Sequence, residues 1–163
     1  MNQPLFSSTI LFHLESSLSL IKNMSSAKIL IVWSNYYEEL AEKQLASCLN
    51  LLKASEYEYQ VETVNAGTYE IPAVIQYYHS HNPFDGYIPL SLLLKGKTDH
   101  YEFIWEHVKE CFIQFAMKGL MIGNGIISAP SMKLLQERVE NGERVREAFQ
   151  AITYLIQLTK NKC

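Results

Sequence analysis

The sequence predicts an α/β fold of four strand–helix units around a parallel sheet. Three observations carry this. From Lys28 onward, short β-rich runs alternate with segments of helical period, the pattern of βαβ units. The first run, Lys28 to Trp33, is apolar on both faces, as a strand in the middle of a parallel sheet must be. The length of 163 residues fits one domain with a sizeable core, since domains cluster at roughly 100–200 residues.

Each element has its own signal. After the first strand, a helix from about Glu38 to Lys53 puts Leu40, Leu45, Cys48, Leu49 and Leu52 on one face. The second strand, Tyr59 to Val64, alternates apolar and polar residues and suits a sheet edge. Ile71-Pro72 opens a helix carrying Val74, Ile75 and Tyr78, with proline in the first turn, where its missing N–H costs nothing. Strand three runs from Tyr87 to Leu94, and the helix after it from about Tyr101 to Lys118, with Phe103, Ile104, Val108, Cys111, Phe112 and Phe115 inward. Strand four, Leu120 to Ile127, leads through Ser128-Ala129-Pro130 into a helix from Ser131 to Val139. Asn141-Gly142 breaks the pattern, and Glu143 to Lys160 restarts it with Val145, Phe149, Ile152, Leu155 and Ile156 on one face.

Residues 1–27 are expected to be an N-terminal arm or a dispensable extension, with the domain proper spanning 28–163. The run Leu5 to Phe12 is apolar but lacks the basic start and small-residue cleavage site of a signal peptide, and Met24 offers a second possible start. A net charge of −3 with mixed signs gives no basic stripe, which argues against a nucleic-acid partner. Cys48, Cys111 and Cys163 lie far apart without a CxxC pair, so neither a disulfide framework nor a zinc site is encoded, and a reducing cytoplasm fits. No apolar run approaches the roughly 18 residues that span a bilayer, so no membrane role is expected.

Function in a parallel sheet gathers at the carboxyl ends of the strands, where helix N-termini present unpaired N–H groups. The first end, Trp33-Ser34-Asn35-Tyr36-Tyr37, offers aromatic rings that can stack on a planar ligand or simply close the core. The second, Asn65-Ala66-Gly67-Thr68-Tyr69-Glu70-Ile71-Pro72, places a carboxylate in a first helical turn, as a cap or as an acceptor for a polyol. The third, Lys95-Gly96-Lys97-Thr98-Asp99-His100-Tyr101, surrounds a glycine turn with two lysines, a hydroxyl and an imidazole. That combination suits a phosphate held beside a proton carrier. His13, His79, His81 and His107 lack such company in the sequence. The fourth, Gly123-Asn124-Gly125-Ile126-Ile127-Ser128, is followed by Arg138, whose guanidinium can clamp phosphate or remain a solvated helix residue. A P-loop is absent, and Gly123-Asn124-Gly125 lacks the third glycine of a dinucleotide motif. Ser34-Asn35 and Leu94-Lys95 occupy the places where a phosphoacceptor receiver would need carboxylates.

Taken in order, these strand ends resemble those of the lumazine synthase family, over Lys28 to about Leu158. Gly67-Thr68-Tyr69-Glu70-Ile71-Pro72 looks like the family's G-A-F-E-I-P, and Lys95 to Tyr101 looks like R-G-A-T-x-H followed by F or Y. The resemblance implies a flavodoxin-like three-layer sandwich with helices on both faces of the sheet. It also implies a homo-oligomer, pentamer or icosahedral shell, with each site shared between neighbouring subunits. Tyr36 would stack on the pyrimidine; Thr68, Tyr69 and Glu70 would bind the ribityl chain and ring; Leu92, Leu93 and Leu94 would line the pocket. Lys97, Thr98 and Arg138 would hold the phosphate, and His100 would move protons. The implied substrates are 5-amino-6-(D-ribitylamino)uracil and 3,4-dihydroxy-2-butanone 4-phosphate, and neither metal nor organic cofactor is implied.

Several positions depart from the family pattern. Lys95 replaces an arginine, Lys97 a small residue, Tyr37 an asparagine and Asn124 the aromatic that walls the pyrimidine site. The glycine- and lysine-rich segment A-G-x-K-x-G-N-K-G gives way to Val139-Glu140-Asn141-Gly142-Glu143-Arg144. The first hypothesis is therefore a lumazine synthase with an altered site. The second, of another class, is a flavodoxin-like shell or ligand-binding homologue that has lost catalysis.

Overall fold

The computed structural model describes residues 26–160. Most of the expected arm, Met24, His13 and Cys163 lie outside the described residues. Strands β1 (Lys28–Ser34), β2 (Glu58–Val64) and β3 (Gly86–Leu90) form a parallel sheet in the order β2-β1-β3. The doubly apolar first strand is thus central and the alternating second strand lies at the edge, as their sequences require.

Among the described residues five α-helices follow the strands: α1 (Glu38–Lys53), α2 (Ile71–His81), α3 (His100–Met117), α4 (Met132–Glu140) and α5 (Glu143–Lys160). Alternate residues of a strand point to opposite faces. Ile29 and Ile31 of β1, with Ile88 and Leu90 of β3, meet Cys48 and Leu52 of α1 and Val145, Ala148, Ile152 and Ile156 of α5. Leu30, Val32 and Tyr87 meet Ile71 and Ile75 of α2 and Phe115 of α3 on the other face. The result is a three-layer arrangement, in which each fully buried aliphatic side chain contributes roughly 1.5–3 kcal/mol. Phe103, expected inward, is 64% exposed. The buried stripe of α3 runs through Ile104, Val108 and Phe115, and Phe103 lies about a quarter-turn off it.

The expected strands three and four need correction. The run Tyr87–Leu94 divides at buried Ser91 into β3 and β4 (Leu92–Leu94). The run Leu120–Ile127 contributes only an isolated bridge, Tyr87 to Ile122, and regular pairing begins with β5 (Ile127–Ala129) against β4. The structure therefore carries a three-stranded and a two-stranded parallel sheet in place of one four-stranded sheet. The physical reason is local. Tyr87 donates to Met121 O and accepts from Gly123 N, and Pro89 O accepts from Gly125 N at 3.0 Å. Pro89 itself has no N–H to extend this ladder. Two residues further, the carbonyl of Gly125 is taken at 2.8 Å by Nε2 of Gln44, a wholly buried side chain of α1. Pairing then resumes in the same register, with Leu92 opposite Ile127.

Gly123 is where α5 presses onto this ladder. A Cβ there would stand 2.3 Å from the backbone oxygen of Ala148. The Gly123-Asn124-Gly125 sequence is thus a packing device, not a nucleotide loop.

Cys48, buried between α1 and the sheet, has its thiol pushed up from 9.0 to about 12 by desolvation. A folded-state value above the unfolded one means that the contribution is intact below about pH 9 and is lost as pH rises toward 12. Thermal melts are expected to lose stability steadily over pH 9–11, and Cys48→Ala to flatten that slope while lowering the melting temperature at pH 7. An unchanged slope would show that another group governs the alkaline limb.

Candidate active site

Hydrogen bonds between loops set the geometry at the carboxyl ends of the strands. Ser34 Oγ donates to Ala66 O at 2.6 Å, and Asn35 Nδ2 donates to Asn65 Oδ1 at 2.8 Å, tying the loop after β1 to the loop after β2. Thr68 and Ser91, both buried, pair their hydroxyls at 2.8 Å and tie the second loop to the end of β3. Lys95 N donates to Ala129 O at 2.9 Å, fixing the third loop to β5.

These ties surround a cavity of about 470 Å³. Tyr36 enters its wall from the first loop, Thr68, Tyr69 and Glu70 from a short 3-10 turn before α2, and Leu92, Leu93 and Leu94 from β4. Thr98 and His100 close it from the loop before α3 and from the first residue of that helix. The sequence reading missed Tyr37, Gly67, Gly96, Tyr101 and Ile104, which also line it. Their signal was available: each neighbours a motif residue or follows His100 by one helical turn. Tyr37 meets Tyr36 edge to face, with ring centroids 5.1 Å apart, and burial raises its phenol above the ordinary value, so it stays protonated.

Three expected residues are not brought into the cavity by this chain. Lys97 stands exposed between two lining residues, Gly96 and Thr98. Arg138, in the last turn of α4, turns back onto β5 and donates through Nη1 to Ser128 O at 2.7 Å. Asn124 closes its own turn, its Oδ1 accepting from Ile126 N at 3.0 Å, and it lines a separate groove beside Trp105 and Phe112. None of the described lysines or arginines lines the cavity. Lys95 is engaged by Glu102 at 2.6 Å; that contact raises the ammonium's pKa and lowers the carboxyl's, and both groups are solvent-exposed. Among the described residues no group of three or more His, Cys, Asp or Glu side chains could hold a metal ion.

The wall therefore combines exposed aromatic rings, a carboxylate and a paired hydroxyl suited to a polyol, an apolar floor, and an imidazole at a helix N-terminus. Such a set can bind a planar ring with a hydroxylated chain and pass protons at one end of it. No described helix is long and apolar enough to cross a membrane.

Comparison with known proteins points the same way. Residues 26–160 match the family model described as 6,7-dimethyl-8-ribityllumazine synthase. A protein of that name from Jannaschia sp. (strain CCS1) is 29% identical over 151 residues, covering 91% of this chain and 84% of the relative. Its counterpart from Bartonella bacilliformis is 29% identical over 137 residues, covering 82% and 90%. That from Erythrobacter litoralis is 28% identical over 134 residues, covering 81% and 95%.

Proposed function

The chain belongs to the 6,7-dimethyl-8-ribityllumazine synthase family, transferases of riboflavin biosynthesis, and we propose that the cavity at its strand ends is the catalytic site. The observation that carries this is the convergence of Tyr36, the Thr68–Glu70 turn, β4, Thr98 and His100 on one cavity. The ribitylaminopyrimidine stacks on Tyr36 with its hydroxyls toward Thr68 and Glu70, and the four-carbon ketone phosphate lies toward Gly96, Thr98 and His100.

The amine attacks the ketone and loses water, phosphate leaves, and ring closure loses a second water. Each step transfers a proton, which His100 accepts or returns. Holding two reactants in register supplies a large share of the acceleration, so one imidazole and a phosphate clamp suffice.

The phosphate clamp needs a cation, and none of the described lysines and arginines of this chain lines the cavity. In a homo-oligomer, Arg138 of a neighbouring subunit supplies it, and Asn124 faces the neighbour's ring site. The departure of Arg138 from its own cavity supports that sharing. A cytoplasmic location belongs to the same proposal, supported by Cys48 and Cys111 being free thiols. So does the reading of these two sheets as one flavodoxin-like four-stranded layer, with β4 and β5 continuing β3 and its bridged neighbour, supported by the common register on either side of the break at Ser91.

Arg138→Ala is expected to raise KM for the butanone phosphate about tenfold or more, as loss of a charge-assisted bidentate contact does, with KM for the pyrimidine little changed. Mixing refolded Arg138→Ala and His100→Ala subunits should restore part of the activity, because some mixed sites carry neither change. No recovery on mixing would exclude the shared site.

A further inference from the structure

His107 was set aside in the sequence as a histidine without company. Its ring lies against that of Tyr69, with centroids 4.0 Å apart and planes within 20° of parallel. Cys111 Sγ also approaches both of its ring nitrogens at 3.9 Å. Tyr69 is half-exposed at the cavity rim and belongs to the 3-10 turn that also carries Thr68 and Glu70. His107 does not line the cavity. It follows His100 by seven residues on α3, so the two share one helix face about 10 Å apart, with Ile104 between them.

From this geometry we infer that His107 is a positioning residue: by stacking on Tyr69 it holds the Thr68–Glu70 turn in the conformation that presents its hydroxyl and carboxylate to the ribityl chain. Two of the turn's three residues have few other described restraints. Thr68 is pinned by Ser91, but Tyr69 and Glu70 are exposed, and the described ring contact of Tyr69 is with His107. A stacked aromatic pair has an energy worth several-fold in an equilibrium, so its loss falls on binding of the ring and chain that the turn contacts. The phosphate end, anchored by the loop before α3, is left alone. This inference rests on the proposed function.

Steady-state kinetics of His107→Ala, His107→Phe, Tyr69→Ala and the Tyr69→Ala/His107→Ala double variant test it, alongside titration of each protein with 6,7-dimethyl-8-ribityllumazine by fluorescence. His107→Ala is expected to raise KM for the ribitylaminopyrimidine about fivefold, with kcat and KM for the butanone phosphate within twofold. Binding of the lumazine should weaken by a similar factor. His107→Phe, which keeps the stacking face, should restore both, and His107→Ala should add nothing in a Tyr69→Ala background. Unchanged pyrimidine KM, no restoration by phenylalanine, or additive effects of the two alanines would each overturn the inference while leaving the proposed function standing. If the unaltered chain neither forms nor binds the lumazine, the proposed function itself falls, and this inference with it.

Discussion

Replacing His100 by alanine is expected to lower kcat about a hundredfold, with assembly and melting temperature unchanged. The magnitude is at the low end of general acid–base effects because positioning of the two reactants survives the change. The neutrality toward folding follows from where His100 sits. It is an exposed residue at the first position of α3, and the Asp99 cap before it makes no side-chain bond that the imidazole supports. Turnover followed by absorbance and melting followed by circular dichroism separate the two effects. A loss of activity matched by a loss of structure would mean that His100 serves the start of α3 and not proton transfer.

Gly123→Ala should act in the opposite way, on stability before chemistry. The added methyl would meet the carbonyl oxygen of Ala148 at 2.3 Å and Ile152 Cβ at 3.0 Å, and the closest of these is backbone that cannot rotate away. Either α5 moves off the sheet or the ladder around Tyr87 shifts, and overpacking of this kind costs about 3 kcal/mol. For a chain of this length that is roughly a 10 °C fall in melting temperature. Gly96→Ala is the internal comparison, because nothing lies within 4 Å of a Cβ there. Equal melting temperatures for the Gly123 variant and the unaltered protein would mean that the helix and sheet are not in the contact described.

Much of the cavity was legible because parallel strands alternate with helices and their carboxyl ends must converge on one edge of the sheet. Once β1 was recognised as central, Tyr36, Thr68–Glu70 and His100 had to meet. Less legible was anything decided by one residue against its neighbour. Pro89 carried its signal openly, since a proline inside a strand removes a ladder bond, yet the run Tyr87–Leu94 looked continuous from its apolar side chains alone. The part taken by Gln44 in capping Gly125 had no signal, as a glutamine on a helix is ordinarily solvated. Phe103 was misassigned because hydrophobicity was counted without phase: only a residue within the stripe of Ile104, Val108 and Phe115 reaches the core. The places of Arg138 and Asn124 depend on which way a side chain turns at the end of its element, and periodicity does not specify that. His107 is an intermediate case. Its seven-residue distance from His100 puts both on one face, but the stack on Tyr69 needed the packing of α3 against the 3-10 turn.

The departures from the family pattern acquire physical content in this light. Tyr37 is not an idle replacement for asparagine, because it braces Tyr36 edge-on and enters the cavity wall. Lys95 is paired with Glu102 and lies over the Tyr101 ring at 5.8 Å, so it steadies the first turn of α3. An exposed pair of this kind adds little to stability, and its value is in orienting the loop that precedes His100.

The most direct test is the rate of 6,7-dimethyl-8-ribityllumazine formation from the ribitylaminopyrimidine and the butanone phosphate, followed by absorbance with the purified, folded chain. A rate proportional to protein concentration, above the unaided reaction and about a hundredfold lower in His100→Ala, is the expected result. A rate equal to the unaided reaction, from protein shown to be folded and assembled, would contradict it and leave a binding or shell protein on an enzyme's scaffold.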